Sequence, residues 1–228
     1  MPGIANAPFG AVMNPSGFGY LMPVVDPVQH QTTNAGGGPA GAFCREICNG
    51  LRDDELAIYV PVGYAGGGRL AADGVWNREN GGAAWARLVA SVNYLRSIWP
   101  EGSSVAGAIF CQGETDRGAN SAIAHTTAIR EDFVYLRSLW GNFPVVVMPI
   151  GGNDWNVPGS NTYAMVNAHY KLDSNSGDPL ALPLCKAVPR NPDWALMADN
   201  THYVQDDAEK RGTIAGSEIL KLNYGIAA

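Results

Sequence analysis

Asp199 and His202 stand three residues apart in the stretch "DNTHY", and those residue types at that spacing can do acid–base chemistry. A carboxylate that accepts from one imidazole nitrogen fixes the tautomer and leaves the other nitrogen free to take a proton. An isolated D-x-x-H is more often the mark of a solvated loop with a surface histidine, so the pair gains meaning from its company. Two other stretches supply it. In "AIFCQGETD", residues 108–116, an apolar run ends abruptly in Gln112, Gly113, Glu114 and Asp116. Gln112 carries a neutral NH2 donor, and Gly113 lets the chain turn with no side chain in the way. In "AGGGRL", residues 65–70, three consecutive glycines (Gly66, Gly67, Gly68) let backbone N–H groups approach a substrate oxygen closely. The competing chemistry is a paired-carboxylate glycosidase with Glu114 as acid and Asp116 as base. Two acids two residues apart on one loop cannot easily flank a sugar bond from opposite sides, so that chemistry ranks second.

These stretches need a frame that brings them together. Four segments read as buried strands: "LAIYVPV" (56–62), "VAGAIFC" (105–111), "FPVVVMPI" (143–150) and "WALMA" (194–198). Between them, "GAFCREICNGL", "AAWARLVASVNYLRSIW" and "SAIAHTTAIREDFVYLRSLW" space apolar residues three and four apart, as helices do. A last helix, "QDDAEKRGTIAGSEILKLN", opens with acidic residues that suit the helix dipole. Alternation of strand and helix predicts an α/β fold with a parallel sheet between helices. In such a sheet ligands collect outside the carboxyl ends of the strands. The glycine run, the Gln112 stretch and the Asp199–His202 stretch each follow a strand, so all three are expected on one rim.

Length and composition bound the rest. The 228 residues, 46% hydrophobic and 16% charged, predict one globular domain over 1–228. A net charge of −6 with no Lys/Arg run argues against nucleic acid as a partner, and no apolar run approaches the roughly 20 residues of a membrane span. The first twenty residues lack the basic and apolar regions of a secretory signal, which leaves secreted and cytoplasmic locations both open. Cys44, Cys48, Cys111 and Cys185 read as small buried hydrophobes, with Cys185 in a proline-bounded loop. His30, His125, His169 and His202 are scattered, so no metal site is expected. Gly36, Gly38 and Gly41 formally spell G-x-G-x-x-G, but "DPVQHQTTN" before them is no strand, and a dinucleotide fingerprint requires one.

Taken together, "QGETD", "AGGGRL" and "DNTHY" resemble three blocks of the SGNH hydrolase superfamily, in family order, specifically the sialate O-acetylesterase and acetylxylan esterase-like group (carbohydrate esterase family 6). The resemblance runs from about Gly38 to the C-terminus. It implies a flavodoxin-like three-layer α/β/α fold and a cofactor-free serine esterase that removes acetyl groups from carbohydrate hydroxyls. His202 would take the serine proton, Asp199 would orient His202, and Gly67 N–H and the Gln112 amide would form the oxyanion hole. Glu114 and Asp116 would be acceptors that hold the loop, with Arg69 or Arg117 as their partners. The family's nucleophile block, a G-Q-S-N or G-D-S-like turn after the first strand, has no counterpart here. The expectation is therefore a fold lacking its first strand and nucleophile turn, in a chain that starts late. The local substitute is Ser16 in "GAVMNPSGFG", where a short apolar run leads into Asn14 and Pro15; an ordinary turn is the alternative. "IGGNDWN" places Asn153 and Asp154 as rim residues, with Trp155 available to stack on a sugar. Gly68, Arg69 and the late Trp76 depart from the family pattern and bear on substrate contacts. The second class of function is a catalytically incomplete carbohydrate-binding or structural module; a phosphate or nucleotide binder, lacking a phosphate loop, is third.

Overall fold

The structure, a computed structural model, describes residues 38–52, 55–64, 66–72, 74–99, 101–118 and 121–225, together with the backbone of 9–13 and 19–23. Its parallel sheet joins β4 (Ala108–Phe110), β5 (Val145–Val147) and β6 (Cys185–Ala187) in that order. β5 is central, and Val145, Val146 and Val147 are all fully buried. Because successive strand residues point to opposite faces, these valines divide the core. Val145 and Val147 face Trp85 of α2 (Ala83–Ile98) and Ile129, Phe133, Leu136 and Trp140 of α3 (Ala122–Trp140). Val146 and Met148 face Phe43, Cys44 and Ile47 of α1 (Ala40–Asn49) and Ala215, Ile219 and Leu220 of α5 (Gln205–Tyr224). Helices thus cover both faces of a parallel sheet, which is compatible with a three-layer α/β/α arrangement. Each buried valine contributes roughly 1.5–3 kcal/mol, so β5 anchors the rim that begins where it ends.

The four helices expected from periodicity are present, and α4 (Asn161–Tyr170) is an addition among the described residues. Its sequence, NTYAMVNAHY, mixes polar and apolar positions without a clear stripe, which conceals it. The usable signal is Ser160, whose Oγ accepts from the Tyr163 N–H at 3.0 Å and caps the first turn.

Three expectations about strands need correction. First, a strand is present near the N-terminus: β1 (Phe9–Met13) pairs in parallel with β3 (Ile58–Tyr59) and antiparallel with β2 (Gly19–Pro23). The run FGAVM thus finds ladder partners on both sides, which satisfies its backbone. Second, "WALMA" forms no sheet strand. Leu196 bridges Tyr203, and Ala195, Met197, His202 and Val204 exchange backbone hydrogen bonds across a tight antiparallel loop. Its Met197 is exposed because the segment closes on its own return rather than on the sheet. Third, Cys185 lies within β6; the flanking Pro183 and Pro189 bracket a real strand whose half-buried Lys186 pairs with Asp173 at 3.1 Å.

Candidate functional site

The loop after Ala198 is built by a few local bonds. Asn200 takes a left-handed conformation (φ 55°), which short polar side chains tolerate, and the turn folds Asp199 back over its own successors. Asp199 Oδ1 accepts the N–H groups of Thr201 and His202, both at 2.9 Å. Its Oδ2 lies 2.6 Å from His202 Nδ1. An ionised carboxylate only accepts, so Nδ1 carries the proton of this bond and Nε2 is not engaged by Asp199. The hydrogen bond from His202, followed by those from the two backbone N–H groups, holds the Asp199 carboxyl well below the usual carboxylate range. Both side chains are exposed, so a substrate can reach them.

Close approach of two backbones pins this loop to the rim. A Cβ on Gly151, four residues past β5, would overlap the Thr201 carbonyl oxygen. Gly151→Ala should therefore displace the residue preceding His202, and the expected outcome is a weakened Asp199–His202 hydrogen bond with the helices intact, checked by NMR of the His202 ring alongside far-UV circular dichroism.

The Gln112 stretch and the glycine run meet through three connections. Gln112 Nε2 donates to the Gly67 carbonyl at 2.8 Å and lies 3.4 Å from Asp116 Oδ2. The Asp116 carboxylate accepts the backbone N–H of Arg69 at 2.6 Å and of Leu70 at 3.3 Å. Gly113 adopts φ 141°, and a Cβ there would meet the His169 ring and Ile150, so the turn does require glycine. Asp116 thus holds the glycine loop, but through its backbone. The Arg69 side chain goes to Asp132 on α3, with Nε and Nη2 on the two carboxylate oxygens at 2.5 and 3.0 Å, and to Glu79 at 2.9 Å. Arg78 completes the network on Asp132 at 2.9 Å. Glu114 is half-buried on the same turn. Both prospective oxyanion donors are engaged within the protein: Gly67 N–H donates to the Tyr64 carbonyl at 3.2 Å, and Gln112 to Gly67.

A cleft of about 240 Å³ lies where three loops meet. Arg117 borders it from the Gln112 stretch, Asn153 and Asp154 from the loop after β5, Thr162 from the start of α4, and Asp199 and Thr201 from the D-x-x-H loop. The structure therefore brings Asp199 together with the rim residues of "IGGNDWN". Trp155 is occupied differently from the expectation: the buried Arg190 guanidinium sits over its ring at 4.9 Å. Ser16 lies outside the described residues, three positions beyond the end of β1.

Two residues beside the site went unread in the sequence as site components. His125 and His169 are fully buried with rings 5.4 Å apart, and His125 Nε2 lies 2.9 Å from Gln112 Oε1. Burial lowers His125 to about 4, partly opposed by Asp116, and burial with the charge of His125 lowers His169 to about 3. Both rings are neutral near pH 7. Among the described residues no three His, Cys, Asp or Glu side chains gather to hold a metal ion, and no helix is long and apolar enough to cross a membrane.

The chain matches no family model and no curated protein sequence. Its fold is similar to the X-ray structure of a protein from Arabidopsis thaliana, with a TM-score of 0.71 over 93% of this chain and 80% of that one. At 19% identity the likeness extends to the fold alone.

Proposed function

We propose that this chain is a serine esterase of the SGNH type, with a flavodoxin-like fold, that removes O-acetyl groups from carbohydrate. The observation that carries the proposal is the His202–Asp199 pair: Nδ1 sits 2.6 Å from a carboxylate whose other oxygen is held by two backbone N–H groups. A surface histidine needs no such fixed orientation, whereas a general base does. The nucleophile in this proposal is Ser16. It follows β1, whose parallel pairing with β3 puts the carboxyl ends of both strands at the same edge, and the glycine run follows β3.

The chemistry then runs through these residues. Ser16 Oγ attacks the acetyl carbonyl while His202 Nε2 takes its proton, and Asp199 stabilises the resulting imidazolium. The developing oxyanion receives a Gln112 N–H and the Gly67 N–H, which turn to it from Asp116 and Tyr64. His202 returns the proton to the departing sugar oxygen, and water hydrolyses the acetyl-serine by the same route reversed. The cleft beside Asp199 is lined by amides, hydroxyls, carboxylates and one guanidinium, a lining suited to a hydroxyl-rich leaving group rather than a fatty chain.

One observation favours the second class, a binding module of the same fold: both oxyanion donors already have internal acceptors. Acetate release separates the two. The expected result is acetate from acetylated xylo-oligosaccharides or O-acetyl sialic acid, with butyryl esters hydrolysed far more slowly. Saccharide binding without acetate release would place the chain in the second class.

A further inference from the structure

The buried histidine His125 has a role that the esterase reading leaves unassigned. Its Nε2 is 2.9 Å from Gln112 Oε1, and the orientation of that amide is not arbitrary. On its other side Gln112 faces the Gly67 carbonyl at 2.8 Å, a group that can only accept. The amide nitrogen must therefore face Gly67, its oxygen must face His125, and the His125 proton must sit on Nε2. The opposite tautomer would set two lone pairs against each other. His125 Nδ1 is buried with no partner, which suits an unprotonated nitrogen.

We propose that His125 is the positioning residue of this site: its Nε2–H holds the Gln112 carboxamide in the one orientation that turns its NH2 toward the glycine run, where an oxyanion would form. The proposal rests on the esterase reading for its catalytic meaning and on geometry alone for the orientation. Without the His125 donor, a flipped amide would present Oε1 to the oxyanion and repel it. The Gly67 carbonyl opposes a flip at one end of the amide and the His125 Nε2–H at the other, so loss of the His125 donor removes one of the two constraints.

The surroundings keep the ring a neutral, one-sided donor. His169 packs beside it at 5.4 Å with both ring nitrogens buried and unpartnered, so it offers no charge. Phe110 lies against both rings, at 6.2 and 5.8 Å. Asp116 Oδ2 is 3.7 Å from Nε2 and favours a proton on that nitrogen, while the nearby Arg69 charge opposes a second proton on the ring. The ring therefore remains a neutral Nε2–H donor until the pH falls toward 4.

A double-mutant cycle and a spectroscopic measurement test this. His125→Phe should lower kcat roughly tenfold, the worth of one such hydrogen bond, with KM changed less than about twofold. His125→Gln, which restores a donor, should recover most of the loss. In a Gln112→Ala background, His125→Phe should cost nothing further in kcat, because the group it orients is gone. Equal losses in both backgrounds would overturn the proposal and indicate a merely structural ring. Should the Phe variant fail to fold, long-range 15N–1H NMR on the unaltered protein still decides: a neutral Nε2–H tautomer through pH 5 supports the proposal, and the Nδ1–H tautomer overturns it. A folded chain with the Nε2–H tautomer that hydrolyses no ester would refute the esterase reading while upholding the held amide.

Discussion

Replacing His202 by alanine is expected to lower kcat/KM for acetyl esters on the order of 10⁴-fold or more while leaving the thermal midpoint almost unchanged. The two halves of that expectation have separate origins. The loss in rate follows from the proposed mechanism, in which Nε2 takes the serine proton and the 2.6 Å Nδ1–Asp199 bond orients the ring. The unchanged midpoint follows because the His202 side chain is 69% exposed and, among the described residues, its ring bonds only to Asp199, itself 48% exposed. Exposed pairs of this kind add little to stability. The backbone bonds that shape the loop, from Thr201 and His202 to Asp199 Oδ1, survive the substitution. Asp199→Asn should approach the same loss by a different path, since an amide can let the imidazole adopt the wrong tautomer. The pH dependence has a definite sign. Because the Asp199 carboxyl is depressed, its interaction is fully present above the ordinary carboxylate range and is lost only as pH falls through the depressed value. Asp199 therefore stays ionised under mildly acidic conditions and does not set the acid limb of the rate profile. A His202→Ala protein that failed to fold would indicate a structural histidine.

The second large effect is on stability. Asp132→Ala should destabilise the protein by about 3–5 kcal/mol, because Arg69 would be left buried without its bidentate partner. For a chain of this size that is a fall in thermal midpoint of roughly 10 °C. Arg69 is 3% exposed and Asp132 5%, so neither charge can turn to solvent when the other is removed. Glu79, at 2.9 Å, remains on Arg69 and favours the lower end of the range. The same substitution should reduce activity, since the network ties the glycine loop to α3 and Asp116 takes only its backbone. Replacing Arg69 and Asp132 together by Met and Leu should restore much of the stability but not the loop position. Differential scanning calorimetry of the three proteins, with acetate-release assays beside it, measures both effects. A midpoint unchanged in Asp132→Ala would show that the network is dispensable.

The sequence carried the layers better than the joints. Helices α1, α2, α3 and α5 were legible because each shows apolar residues at helical spacing toward the sheet, and the continuous "FPVVVMPI" announced a strand buried on both faces. "WALMA" misled because an apolar run does not say which partner it pairs with, and here it pairs with Tyr203 of its own loop. The flanking prolines hid β6, and β1 could be placed only by its pairing with β3.

A similar division holds for the site. The Asp199–His202 pair was legible because the bond closes within a four-residue turn, so spacing alone nearly determines it. Gln112, Gly113 and Asp116 stood out by chemistry against the apolar run before them. The Arg69–Asp132 pair spans 63 residues and exists only once α3 has docked. His125 lies on a helix that the sequence presents as ordinary, and its meaning appears only where that helix passes under Gln112.

The esterase proposal requires an activated serine, and labelling with a fluorophosphonate tests that most directly. The reagent's phosphorus–fluorine bond breaks as a serine oxygen attacks, which an unactivated hydroxyl does too slowly to matter. Intact-mass analysis with peptide mapping should find one adduct on Ser16 in the unaltered protein and none in His202→Ala. A folded protein that takes up no label, or that is labelled equally well without His202, would contradict the proposal.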